Sequence, residues 1–338
     1  MTYVYVLTST QADLYYEQCL MSLYSLRDHM PTARAVVLTD DKTNATFTGK
    51  REEIRRLASE IIRVGFDDSV GNAERSRLIK TAIPHYIDDD FLYIDCDTVV
   101  CAPLDTIADC PYSVAGVLDG HVMLSEHIHK DYFLKRDRRL GFSGTRSLGA
   151  NVNGGVIFAR KGNEARRFFD AWAEAWKYSA YKKHDLHDQS ALNEANFRTG
   201  LCMGLLSGEW NCQPSNGGLA FLKDAKIIHY FSSEAGGSHY VPYYKLADVA
   251  LQRRVKEAGA IPSDVAAMLA APKFQFNKAH LVNDQRVIAV LQSPLLFTLA
   301  ETKQKLPALF KVLESVCAFT RWCGKSLRNL IKRKHQSS

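Results

Sequence analysis

Residues 91–100 read Phe-Leu-Tyr-Ile-Asp-Cys-Asp-Thr-Val-Val, an apolar run that ends in two carboxylates one residue apart. Such a run is typical of a strand that is buried on both faces of a parallel sheet. Ligands gather at the carboxyl ends of these strands, and side chains at i and i+2 share one face. Asp95 and Asp97 can therefore point at one position, where their repulsion favours a cation between them. Divalent cations with oxygen ligands often accompany substrate phosphates, so this stretch predicts a metal–diphosphate site.

The acidic triplet 95–97 also has a purely structural interpretation, because acidic pairs are common in turns and at helix caps. Here it closes an apolar strand pattern, and it is followed by Thr98-Val99-Val100 and a turn at Pro103-Leu104-Asp105. This context favours the ligand-binding interpretation.

Strand and helix patterns alternate along the chain, which predicts an α/β fold with a mainly parallel central sheet flanked by helices. The expected strands are residues 3–8, 35–38, 91–94, 113–118, 151–159 and 226–230. The expected helices are residues 15–28, 52–62, 73–86, 164–178 and 188–194. Residues 119–148 are rich in His, Lys and Arg and predict a long loop or lid over the site. We expect a catalytic domain at 1–245, a helical extension at 246–302 and a basic tail at 303–338.

Composition is that of a globular protein, with 46% apolar and 24% charged residues in a chain of 338. The N-terminus lacks a cationic region and a small-residue cleavage site, so we expect no signal peptide. No apolar stretch is long enough to span a bilayer. The 8 cysteines include no Cys-x-x-Cys pair, which disfavours a zinc or redox motif. These features together predict a cytoplasmic protein with free thiols.

The net charge of +6 is concentrated in residues 303–338, where Glu314 is the only acid. Residues 306–331 place apolar side chains mostly along one helical stripe, with lysines and arginines beside it. A basic amphipathic helix of this kind predicts peripheral attachment to an anionic membrane, on the inner face of the plasma membrane. The alternative is a helix packed on the core with a solvated basic end. A nucleic-acid partner is not expected, because the catalytic body lacks a basic surface signature.

Six motifs occur in an order that resembles glycosyltransferase family 8, which includes glycogenin and bacterial lipopolysaccharide galactosyl- and glucosyltransferases. They are Ser76-Arg77-Leu78-Ile79-Lys80, Leu92–Thr98, Asn151–Phe158, His187–Asn193, Trp210-Asn211 and Ile227–Tyr230. The resemblance covers roughly residues 3–232 and implies a GT-A nucleotide-diphospho-sugar transferase fold. It also implies retaining transfer of a hexose from a UDP-sugar to a glycan or glycolipid, such as lipopolysaccharide or another cell-surface polysaccharide.

The same resemblance implies a metal site, in which Asp95, Asp97 and His229 match the family's ligands. Manganese is the usual ion in that family, with magnesium as an alternative. Two carboxylates and one imidazole form a set that manganese accepts more readily than magnesium. His229 has a second interpretation, as a hydrogen-bonded histidine of the core.

Seven residues are expected on this basis to bind the donor: Thr8, Arg77, Lys80, Asn151, Asn153, Gly154 and Gly155. Arg77 matches the residue that reaches the diphosphate, since a guanidinium can bind phosphate oxygens bidentately. Lys80, one helical turn further, competes for this role. The two glycines would let the backbone approach the donor closely, or would only relieve crowding in a strand.

Asp188 and Gln189 match the catalytic pair beside the anomeric carbon. Asp188 is expected to accept hydrogen bonds from donor-sugar hydroxyls, and it could also be the N-cap of a helix. Gln189 lies where a nucleophile or a polar stabiliser of the transition state would lie.

One departure from the family leaves other functions open. The family's Gly-x-x-Lys-Pro-Trp segment, whose lysine contacts the diphosphate, is absent from residues 231–240. A non-catalytic sugar-nucleotide-binding protein on a decayed transferase fold is therefore one alternative. A sugar-1-phosphate nucleotidylyltransferase is another, although the chain lacks the Gly-rich N-terminal signature of that class.

Overall fold

The computed structural model describes residues 1–200, 203–231, 244–276 and 293–320. The chain divides into two units, 1–277 and 278–338, which are described separately. The strands of the first unit are β1 Thr2–Leu7, β2 Arg34–Asp40, β3 Glu60–Val64, β4 Phe91–Ile94, β5 Thr98–Val100, β6 Val114–Leu118, β7 Val152–Ala159, β8 Met203–Leu205 and β9 Ile227–His229.

The helices of the first unit alternate with these strands. They are α1 Tyr15–His29, α2 Asp41–Ala45, α3 Ile54–Leu57, α4 Asn72–Lys80, α5 Ile83–Tyr86, α6 Lys130–Leu140, α7 Gly144–Leu148, α8 Asn163–Lys183, α9 Gln189–Arg198, α10 Val249–Ala258 and α11 Ser263–Ala270. The predicted alternation of strands and helices is thereby confirmed.

The central sheet has seven strands in the order β3-β2-β1-β4-β7-β6-β8. Six of these strands run parallel to one another, and β7 runs antiparallel to its neighbours β4 and β6. The mainly parallel sheet predicted from the sequence is therefore confirmed.

Two apolar clusters cover the two faces of the sheet, and β4 contributes to both of them. Leu92 and Ile94 belong to the cluster that also contains residues of α1, α10 and α11. Phe91 and Tyr93 pack on the opposite face, where α8 contributes the fully buried Trp172. Burial on both faces explains why this strand is an uninterrupted apolar run, since neither face meets water.

Several local predictions were wrong. The helix expected at 52–62 is shorter than predicted, because only the 4 residues of α3 are helical and the chain then forms the edge strand β3. The expected helix at 73–86 divides into α4 and α5, since Pro84 cannot donate the backbone hydrogen bond that a continuous helix needs. The region 119–148 is not one long loop, because it contains α6 and α7. Strand β8 was not predicted.

The second unit is described from residue 293 to residue 320. It contains α12 Pro294–Lys305 and a further helical stretch at 307–320, in which most side chains are exposed. The rest of the predicted amphipathic helix, 321–331, lies outside the described residues. In the described part of the chain, no helix has the length and apolarity needed to cross a bilayer. The domain boundaries proposed at residues 245 and 302 stay predictions.

Candidate active site

A small second sheet brings the late histidine to the acidic triplet. Strands β5 and β9 pair antiparallel, with Thr98 opposite His229. The backbone N–H of Tyr230 also donates to the carbonyl of Asp97 at 3.1 Å. Because Asp97 directly precedes β5, this pairing places His229 beside the carboxylates despite its distance in the sequence.

The side chains of Asp95, Asp97 and His229 converge on one point. Their ligand atoms lie within 4.8 Å of one another. The Nε2 of His229 lies 3.3 Å from Oδ1 of Asp97 and 4.0 Å from Oδ2 of Asp95. Two carboxylates and an imidazole at this spacing could bind a divalent metal ion.

The orientation of the His229 ring is set by a chain of amides. Asn211 donates from Nδ2 to Oδ1 of Asn153 at 2.9 Å, so its own Oδ1 faces Nδ1 of His229 at 3.1 Å. Since this oxygen can only accept, Nδ1 carries the proton and Nε2 is turned toward the carboxylates. Metal-ligating histidines are typically held in this way through their second nitrogen, so the donor set fits a metal ion.

The charge of His229 follows from its carboxylate neighbours. Burial alone lowers the pKa of this imidazole, but the nearby Asp97 and, to a smaller extent, Asp95 outweigh it and raise the pKa overall. The cluster therefore favours positive charge at this point, as expected where two carboxylates face each other.

These residues line a cleft of about 440 Å³ at the carboxyl end of β1 and β4. The predicted site residues on its wall are Thr8, Arg77, Lys80, Asp95, Asp97, Asn153, Gly154, Gly155, Asp188, Gln189 and His229. The structure thus brings together every predicted residue except Asn151. Asn151 is buried behind the wall, where it accepts a hydrogen bond from Asn193 at 2.9 Å.

Two cations hold Asp188 in the cleft. Arg77 Nε lies 3.5 Å from one of its oxygens, and Lys80 Nζ lies 3.1 Å from the other. Burial opposes ionisation, but these charges hold the pKa of Asp188 well below its ordinary value. Asp188 occupies the N-cap position of α9, yet its side chain makes no capping hydrogen bond. The carboxylate is therefore ionised and directed to the cleft.

The two glycines of β7 differ in their surroundings. A Cβ on Gly155 would lie 2.3 Å from Cε1 of His229, which is a steric clash. A Cβ on Gly154 would lie 3.5 Å from Nζ of Lys80, which is an ordinary contact. Of the two alternatives, relief of crowding therefore accounts for Gly155.

Several residues of the cleft were not predicted from the sequence. Tyr15, Gln18, Asn72 and Tyr93 also line it. The hydroxyl of Tyr93 donates to Oδ1 of Asp95. Tyr93 could have been found from its position, because it lies two residues before Asp95 and hence on the same face of the strand. Asn211 belonged to a recognised motif but had no assigned role.

Solved glycosyltransferase structures are similar to this chain. An active-site mutant of LgtC aligns with a TM-score of 0.50 at 15% identity, covering 78% of this chain and 98% of that one. The galactosyltransferase LgtC in complex with donor and acceptor sugar analogs has a TM-score of 0.49, with the same identity and coverage. Mouse xyloside xylosyltransferase 1, in its apo form, has a TM-score of 0.45 at 12% identity, covering 68% and 97%.

The first of these alignments shows that the chain has the GT-A fold. No protein-family model matches the sequence, and no curated protein matches it. Membership of glycosyltransferase family 8 therefore stays a prediction, supported at the level of the fold.

Proposed function

We propose that this chain is a retaining, metal-dependent glycosyltransferase that moves a hexose from a UDP-sugar to a glycan or lipid-linked acceptor. The observation that carries the proposal is the convergence of Asp95, Asp97 and His229 in a cleft that also contains Asp188 and Arg77. Such a cleft offers a cation position, a partly exposed guanidinium and an ionised carboxylate within one cavity, which is the chemistry that a nucleotide-sugar requires.

The proposed metal ion is Mn²⁺, with Mg²⁺ as an alternative, held by Asp95, Asp97 and His229. When bound, such an ion supplies Lewis-acid stabilisation of the negative charge on a diphosphate. The Asn211 hydrogen bond supports this assignment, because it keeps the proton on the nitrogen that faces away from the carboxylates.

The roles of the other residues follow from their charge and exposure. The side chain of Arg77 is 34% exposed, so we assign its guanidinium to the departing diphosphate. Asp188 is ionised and would accept hydrogen bonds from hydroxyls of the donor sugar. Gln189 follows it on the cleft wall, and we assign it to the position beside the anomeric carbon. Thr8 and Asn153, which also line the cleft, are assigned to donor binding.

A panel of UDP-hexoses tests this proposal. Purified protein with Mn²⁺ should release UDP from at least one of them, and addition of EDTA should abolish the release. NMR should show that the first sugar product keeps the anomeric configuration of the donor. Pyrophosphate formation from UTP and a sugar 1-phosphate would instead identify a nucleotidylyltransferase. Metal-dependent binding of UDP-sugars without turnover would identify the non-catalytic alternative.

The basic tail supports a lipid-linked acceptor at an anionic membrane surface. In the described part of the tail, Leu309, Val312, Val316 and Phe319 are each about half exposed or more. A helix with exposed apolar residues beside basic ones can bind in the interface of an anionic bilayer. We therefore propose peripheral attachment to the inner face of the plasma membrane.

Liposome pelleting tests the attachment. The full-length protein should pellet with vesicles that contain anionic phospholipid and should stay in solution with neutral vesicles. A chain ending at Thr302, and a full-length Val312→Asp/Val316→Asp variant, should lose this binding. Equal pelleting of all three proteins would contradict attachment through the tail.

A further inference from the structure

We propose that Lys80 is a positioning residue, which fixes the Asp95 carboxylate of the metal site relative to the Asp188 carboxylate of the sugar site. This inference rests on the proposed function, because it assigns the two carboxylates to the two halves of one donor. It replaces the direct contact with diphosphate that the sequence alone suggested for Lys80.

The ammonium of Lys80 bridges the two carboxylates. Its Nζ lies 3.4 Å from Oδ1 of Asp95 and 3.1 Å from Oδ2 of Asp188. These two residues come from different elements, since Asp95 follows β4 and Asp188 precedes α9. One cation therefore connects the end of β4 with the start of α9.

The surroundings of Lys80 confine it to this position. The residue is only 4% exposed. Its Nζ lies 4.8 Å from the centre of the Tyr93 ring and 5.7 Å from that of Trp172. The indole of Trp172 also donates to the backbone carbonyl of Asp188 at 3.1 Å. A charge enclosed by aromatic rings interacts strongly with its partners, because little water screens it.

Arg77 provides the contrast. Its side chain is 34% exposed, whereas that of Lys80 is 5% exposed. Arg77 can therefore turn toward an incoming phosphate while Lys80 stays between its carboxylates. In this proposal Arg77 contacts the ligand, whereas Lys80 holds the Asp95 and Asp188 carboxylates in position.

Loss of Lys80 should leave Asp95 and Asp188 without the cation that lies between them. Like charges at this range repel, so the two carboxylates would move apart. A displacement of about 1 Å in a catalytic constellation can lower turnover roughly a hundredfold. Binding of UDP should change far less, because Arg77 and the metal ligands Asp97 and His229 are retained.

The test uses Lys80→Met in the full-length protein, with Lys42→Met as the control. Lys42 pairs with Asp68 at 2.8 Å on the surface and does not line the cleft. With saturating Mn²⁺, Lys80→Met should lower kcat of UDP-sugar hydrolysis roughly a hundredfold. Its Kd for UDP, measured by calorimetry, should stay within roughly threefold of the wild-type value. The control should match the wild type in both measurements.

A double variant keeps the test valid if Lys80→Met folds poorly. Lys80→Met/Asp188→Asn removes the carboxylate that loses its partner. If Lys80 acts through Asp188, the kcat of this variant should be close to that of Asp188→Asn alone. Full additivity of the two losses would overturn the inference. So would a Lys80→Met protein that binds UDP much more weakly but keeps its kcat. Absence of turnover and of UDP binding in the wild type would overturn the proposed function and this inference together.

Discussion

Asn211 decides which nitrogen of His229 faces the carboxylates, although it lies outside the cluster itself. Its amide orientation is fixed by the hydrogen bond to Asn153, which also accepts from the backbone N–H of Gly155 at 2.9 Å. The side chain of Asn153 in turn donates to Asp119 at 3.2 Å. This network means that the imidazole is oriented before any ligand binds.

Replacement of Asn211 should therefore weaken metal binding. In Asn211→Ala, the Nδ1 of His229 loses its acceptor, and the ring is no longer held in one orientation. Loss of such an outer partner typically lowers metal affinity roughly 10- to 100-fold. The Mn²⁺ concentration that gives half-maximal UDP-sugar hydrolysis should rise accordingly. Asn163→Ala, at an exposed position, is the control, and an unchanged Mn²⁺ requirement in Asn211→Ala would contradict the assignment.

The sequence predicted which side chains line the cleft, but not which residues those side chains contact. Asp95 and Asp97 were identifiable because they directly follow an apolar run, where charged side chains are unusual. The bridge from Lys80 to Asp188 was not predictable, since it depends on how α4 and α9 approach each other in space. Asn151 was expected in the cleft because it lies two residues before Asn153, and its burial against Asn193 could not be read from that spacing.

Strand β7 carries Gly155 next to His229 and Gly154 next to Lys80 on the wall of the cleft. Its two adjacent glycines allow a matched test. A Cβ on Gly155 would also lie 2.6 Å from Nδ1 of His229, whereas the second neighbour of a Cβ on Gly154 is Leu192, at 3.7 Å.

Gly155→Ala should therefore displace His229 and lower Mn²⁺-dependent turnover roughly a hundredfold. Overpacking in a core typically costs about 1–3 kcal/mol, so thermal unfolding should also occur at a lower temperature. Gly154→Ala should unfold at nearly the wild-type temperature. Equal metal dependence of the two variants would show that His229 is not constrained by β7.

Helix α6 is tied to the segment that presents Asp188. Arg136 of α6 and Arg139 one turn later both pair with Asp185, whose side chain is 4% exposed. The backbone N–H of His187 also donates to Asp185 at 3.1 Å. These contacts of Asp185 fix the backbone three residues before Asp188.

Asp185→Asn should lower the free energy of unfolding at pH 7 by about 3 kcal/mol, as expected for a broken buried ion pair. Burial raises the pKa of Asp185, but Arg136 and the hydrogen bond from the His187 N–H together outweigh it and lower the pKa overall. The carboxylate therefore contributes stability above its unfolded pKa of about 3.9, and this contribution is lost as the pH falls through the lower folded value.

Urea unfolding of the wild type and Asp185→Asn from pH 7 downward measures this difference. The two curves should approach each other below about pH 4. Asp264→Asn is the control, because it removes an exposed pair with Arg254 and should leave stability nearly unchanged. A constant difference at all pH values would show that the Asp185 charge is not responsible.

At the element scale, the errors have identifiable causes. Strand β3 lies at the edge of the sheet, so Glu60 and Arg63 stay exposed and its pattern resembles an amphipathic helix. Most of the surface of α6 faces solvent, so its sequence is rich in charged residues. A prediction based on apolar runs interprets such a charged segment as a loop.

On the scale of the whole molecule, the fold was predictable because its core strands are apolar throughout. Alternating strands and helices can form few architectures other than a mainly parallel sheet with helices on both faces. Strand β9 was predicted, within residues 226–230, but its pairing with β5 in a separate small sheet was not predictable, since each of the two strands has only 3 residues. Yet this sheet completes the site, because it delivers His229.

We propose that Asp95, Asp97 and His229 bind one divalent ion together with a nucleotide diphosphate. The decisive measurement is a calorimetric titration of UDP into the wild type, first with Mn²⁺ and then with EDTA. UDP should bind only with Mn²⁺, and Asp97→Asn should lose this binding, while Asp109→Asn on the surface keeps it. Binding of equal affinity in EDTA, or in Asp97→Asn with Mn²⁺, would contradict the claim.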